Sequence, residues 1–100
     1  MTISTKGPDV DLLHTNVLVY AVDQSGPHHA AAKAILDLGT QPDAGLCVAS
    51  QTVAEFYAVV TNPRRVKEPL SPTEGLDLVQ AILAMPGISL IPMPVDIVRR

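Results

Sequence analysis

The chain has 100 residues, 47% of them hydrophobic and 17% charged, with a formal net charge of −3. That length suits one domain or part of one, the apolar content excludes disorder, and the charge is a weak footprint for tight nucleic-acid binding. No apolar run approaches the ~20 residues of a membrane span, Met1 to Val10 hold no apolar signal core and so predict no export, and a single cysteine, Cys47, excludes an internal disulfide, as suits a reducing cytoplasm.

Lys6-Gly7-Pro8 reads as a leader. The first strand is predicted at about Val10 to His14. Its apolar run stops at His14-Thr15-Asn16, and an apolar helix follows from Asn16 to Val22. A buried parallel strand delivers polar side chains at its carboxyl end in this way, and that is the end at which open α/β sheets bind ligands. Ser25-Gly26-Pro27 predicts the start of a second helix, with Ser25 as N-cap and Pro27 in the first turn. Ala31, Ala34, Ile35 and Leu38 form its expected inner face, and Gly39 its stop. Gln41 to Gly45 is a loop, and Leu46 to Ala49 the second strand.

Ser50 is placed to cap a third helix over Gln51 to Thr61, where Val53, Phe56, Tyr57 and Val60 make a core-facing stripe. Asn62-Pro63 ends it, and a basic loop runs from Arg64 to Leu70. Ser71-Pro72-Thr73-Glu74 is a capping box with Pro at the first helical position. It opens a helix whose expected buried face is Leu76, Val79, Ile82 and Leu83. Pro86-Gly87 stops that helix, Ile88 to Ile91 is a third strand, and Pro94 to Arg100 begins another helix. Strands alternating with helices predict right-handed crossovers and a parallel sheet, hence an α/β domain.

The apolar strand, Thr15, Asn16 and the apolar helix after them resemble the opening of the bacterial PIN-domain ribonucleases, and within them the VapC-like toxins of toxin–antitoxin pairs. The family motif reads Asp-Thr-Asn; His14 stands in the place of its Asp. The resemblance agrees element by element from about Asp9 onward. It implies a PIN-like three-layer α/β/α fold with a parallel sheet, of which residues 1–100 form a single truncated domain lacking the later strands and further acidic residues. It also places the first strand mid-sheet in the whole fold. Without the later strands Val10 to Leu13 becomes an edge, with Asp11 its one internal charge, and self-association is expected.

By that resemblance the activity is Mg²⁺-dependent (or Mn²⁺-dependent) endonucleolytic cleavage of RNA phosphodiester bonds, in the cytoplasm. The expected partner is an antitoxin protein docked over the early helices and the cleft, with Tyr20 and Phe56 as aromatic anchors unless Phe56 is core. Hard cations need oxygen ligands, several of them anionic. Glu55 matches the family's acidic position after the second strand and is the candidate catalytic and metal-binding carboxylate; a solvated helix glutamate is the alternative. His14 is a weaker metal candidate, since imidazole suits Zn²⁺ or Mn²⁺ better than Mg²⁺, and a structural histidine is the competing role. Thr15 and Asn16 match the motif and support the site, or else cap the helix. Arg64, Arg65 and Lys67 are candidates to touch RNA phosphates. Asp11, Asp23 and Asp96 are not nominated. His28-His29 with His14 and Cys47 lack zinc-type spacing. Two further readings stand beside the nuclease: a non-catalytic remnant that binds an antitoxin-like protein, and a zinc-binding structural module.

Overall fold

A computed structural model describes residues 11–92. In chain order it contains β1 (Asp11–Leu13), α1 (Thr15–Val22), α2 (His29–Asp37), a 3-10 turn (Leu38–Thr40), β2 (Leu46–Ala49), α3 (Ser50–Val60), α4 (Pro72–Leu83) and β3 (Ile88–Ile91). The leader, Val10, the side chain of Asp11, and the expected helix from Pro94 with Asp96 lie outside the described residues. The three strands form one parallel sheet in the order β1-β2-β3, with Leu13 level with Val48 and Val48 level with Leu90. This is the α/β class that the alternation of elements predicts.

Both crossovers step across the sheet in the same direction. Right-handed connections therefore put all four helices on one face. The core agrees: a single cluster joins Leu13, Leu46, Val48 and Ile88 of the sheet to Val17, Leu18, Ala21, Ala32, Phe56, Val60 and Ile82 of the helices. Strand alternation turns Leu12, Cys47, Ala49, Ser89 and Ile91 to the other face. The described residues thus supply the sheet and one helical layer of the expected sandwich.

Several local expectations are corrected by packing. Ser25 does not cap α2. Its hydroxyl donates to Asp23 Oδ1 at 3.0 Å, Gly26 N–H closes a turn on the Asp23 carbonyl, and the helix begins at His29. The inner face of α2 is Ala32, with Ile35 and Leu36 half-buried, whereas Ala31, Ala34 and Leu38 are exposed. An alanine-rich helix has little apolar contrast to set its phase, so docking on α1 sets it: His29 Nδ1 meets the Tyr20 carbonyl at 3.3 Å, and the His28 and Tyr20 rings lie 4.9 Å apart. Gly39 is not a terminal cap but sits buried inside the 3-10 turn.

A further correction falls on α4. Leu76 is 53% exposed, and the inner face is built on Gly75, Val79 and Ile82. A Cβ on Gly75 would lie 2.9 Å from Thr61 Cγ2 and 3.0 Å from Tyr57 Cε1. The glycine lets α4 approach α3, and a reading by hydrophobic stripe passes over it. The capping box forms as expected: Ser71 N–H donates to Glu74 Oε1 at 2.9 Å and Glu74 N–H to Ser71 Oγ at 3.1 Å. Ser50 is the first residue of α3, one position inside its expected cap.

Candidate functional site

β1 and β2 are neighbours and run in the same direction, so their carboxyl ends lie side by side. Each leads at once into a helix, β1 into α1 and β2 into α3. His14 is the joint after β1. Its backbone is extended (φ −93°, ψ 159°), and its carbonyl accepts the first helical N–H groups, from Val17 at 3.1 Å and Leu18 at 3.4 Å. Its side chain is exposed and makes no capping bond. Capping therefore rests on the His14 backbone rather than on the Thr15 or Asn16 side chains.

Thr15, half-buried at the first position of α1, reaches across instead. Its Oγ1 donates to Glu55 Oε1 at 2.9 Å, over a separation of 40 residues in the chain. Asn16 stands exposed in the same turn, and Glu55 is exposed in the second turn of α3. Leu18 of α1 and Phe56 of α3 are buried and line one small apolar gap, together with Val53, Val79, Ile82 and Leu83. The tertiary structure thus joins Thr15 to Glu55 at the carboxyl end of the sheet, with His14 and Asn16 on either side of Thr15 in sequence.

The other candidates go elsewhere. α3 carries the chain about 9 Å onward from Glu55 to Thr61 before the basic loop begins. There Arg64, Arg65 and Lys67 are exposed, with the Arg64 N–H held by Asn62 Oδ1 at 2.9 Å and the Arg65 N–H by the Asn62 carbonyl at 2.9 Å. His28 and His29 serve the α1–α2 packing. Phe56 is core at 1% exposure, and Tyr20 is half-buried against His28. Ser50 is a position that sequence reasoning read only as a cap. It places a second hydroxyl-bearing residue at a strand end, beside β1 and Thr15, and the parallel pairing of β1 with β2 is the signal that would have found it.

Mg²⁺ or Mn²⁺ needs several hard oxygen donors with more than one negative charge among them. Among the described residues no group of three or more His, Cys, Asp or Glu side chains is arranged to hold a metal ion. At the motif position His14 offers a nitrogen in place of an anionic oxygen. The residues described do not fit a Mg²⁺ centre of their own. No described helix is long and apolar enough to cross a membrane.

No protein-family profile matches the chain. Curated proteins do match it, among them the VapC ribonuclease Mb2897 of Mycobacterium bovis and Ribonuclease VapC43 of Mycobacterium tuberculosis. Each is 38% identical over 72 residues, which is 72% of this chain and 49% of the relative. The chain thus spans about half the length of the curated relatives it matches. The chain is VapC-like over the 72 matched residues, and its parallel α/β sheet is compatible with a truncated PIN-like fold.

Proposed function

We propose that this chain carries the first half of a VapC-like ribonuclease toxin domain, one whose Mg²⁺-dependent cleavage of RNA phosphodiesters is impaired or absent in this sequence. The match to VapC ribonucleases carries the family part of the reading. The impairment rests on chemistry: a metal-dependent phosphodiesterase gathers anionic oxygens around its ion to activate water and stabilise the leaving group. Glu55 is the carboxylate that can be assigned here, and His14 contributes no negative charge at its position. Arg64, Arg65 and Lys67 are offered to RNA phosphates from the loop after α3, in keeping with a brief electrostatic hold. The chain acts in the cytoplasm, beside an antitoxin.

The alternative is a non-catalytic remnant that still binds an antitoxin-like protein. The exposed state of His14 and Glu55 and the lack of a ligand cluster among the described residues favour it over the zinc module. Docking would use apolar side chains of the early helices, a mode that needs no metal. Phe56 is withdrawn as an anchor, since it is core.

The test is an RNA cleavage assay on the purified chain with Mg²⁺ or Mn²⁺. The expected result is no cleavage above background, and His14→Asp alone does not restore full activity. Robust Mg²⁺-dependent cleavage, abolished by Glu55→Ala, would overturn the impaired reading.

A further inference from the structure

We propose that the Thr15–Glu55 pair works in this chain as a clamp between the starts of α1 and α3, closed without a divalent cation. The proposal uses the VapC-like reading only for the expectation that an ion would sit at Glu55.

The geometry comes first. α1 and α3 meet through apolar side chains, Leu18 and Phe56 among them. Such contacts are not directional. They hold two helices together but leave them freer to slide along each other. A hydrogen bond is directional, and a 2.9 Å bond from Oγ1 to Oε1 fixes where Thr15 stands relative to Glu55. Each residue lies in the first two turns of a helix that leaves a strand end, so the bond ties those two helix starts to each other. The bond is exposed, whereas Leu18 and Phe56 of the same two helices are buried.

The chemistry then argues against an ion. A hydroxyl has one hydrogen bond to donate, and Thr15 donates it to Glu55. The carboxylate is thereby partly compensated by a neutral donor. A Mg²⁺ ion bound at Glu55 would retain most of its charge uncompensated, because the neighbouring His14 supplies no anionic oxygen and the described residues bring no third ligand.

Two roles for Glu55 predict opposite behaviour for one substitution. A clamp needs an acceptor oxygen, which Glu55→Gln keeps. A metal ligand needs the charge, which Glu55→Gln removes. The experiment is urea unfolding of the full chain with Thr15→Val, Glu55→Ala, the double variant, Thr15→Ser and Glu55→Gln. Thr15→Val and Glu55→Ala should each lower the folding equilibrium constant about three- to tenfold, the range of one net hydrogen bond. The double variant should lose no more than the worse single one. Alanine is the best helix former, so a loss at Glu55→Ala does not come from helix propensity. Thr15→Ser and Glu55→Gln should stay within about twofold of the parent. Mg²⁺ or Mn²⁺ at up to about 10 mM should leave every midpoint in place, since an ion bound to the native state would raise it.

Additive losses in the double variant would overturn the clamp. A saturable Mn²⁺-dependent rise in the parent, missing in Glu55→Gln, would show a metal ligand and overturn it as well. RNA cleavage followed in the same samples separates the two proposals: cleavage by the parent sinks the impaired-nuclease reading, while the stability cycle alone decides the clamp.

Discussion

At the scale of single residues, Gly87 is the most closely hemmed in of the described glycines. Its N–H donates to the Gly39 carbonyl at 2.7 Å, and its own carbonyl accepts from Leu46 N–H at 3.0 Å. A Cβ there would lie 2.2 Å from the Gln41 carbonyl oxygen and 2.8 Å from Ala44 Cβ. The neighbours are largely backbone, which cannot swing aside as the end of a long side chain can. Gly87→Ala should therefore cost about 3 kcal/mol or more by overpacking, a large share of what a domain of this size has in total. Chemical denaturation measures it; a loss under about 1 kcal/mol would mean that the loop before β2 shifts to make room. His14 is the contrasting case. It is exposed and carries its structural duty on its carbonyl, so a change of side chain there alters chemistry rather than fold.

At the scale of elements, α4 shows how local and tertiary terms divide. Its start is local: Ser71 and Glu74 satisfy each other's N–H groups, and Pro72 gives up a donor that a first turn cannot use. Ser71→Ala should cost about 1 kcal/mol. Ser71→Asp, which keeps a capping oxygen, should cost much less, and equal losses for the two would show that the box is ornamental. The rotation of α4 is tertiary, set by the approach of Gly75 to Tyr57 and Thr61. α2 has the weaker start of the two. His28 makes no capping bond, and the one described ion pair, Lys33 to Asp37 at 2.9 Å, is exposed and adds only a few tenths of a kcal/mol. α2 depends on α1 for its place.

For the whole molecule the sheet is the question. Among the described residues β1 and β3 are both edges, each with one strand neighbour. β3 carries Leu90 and Ile91 at 49% and 44% exposure. Natural edges are blunted by charge, proline or bulges, and neither residue does that. We expect self-association at micromolar concentration and a low unfolding midpoint. Sedimentation or light scattering checks both β1 and β3. Ile91→Lys should reduce association if β3 is the contact and leave it unchanged if β1 is. A well-behaved, heat-resistant monomer would refute the expectation outright.

Much of the architecture was legible in the residues because it is decided within a few positions. β2, β3, the capping box of α4 and the end of α3 at Asn62-Pro63 follow from apolar runs, turn residues and caps that act over four or five residues. The parallel direction of the strands follows from alternation alone. The candidate site was legible as a list, His14, Thr15, Asn16 and Glu55, and as an expectation of place at the strand ends. Its geometry was not. That the Thr15 hydroxyl donates a hydrogen bond to Glu55 depends on β1 and β2 being neighbours in register, a relation between residues 40 apart. The phase of α2, the exposure of Leu76 and the separation of the basic loop from Glu55 are of the same kind. Each is fixed by which surface a helix meets, and glycines and alanines, which carry little or no side-chain signal, are where that surface lets another helix come close.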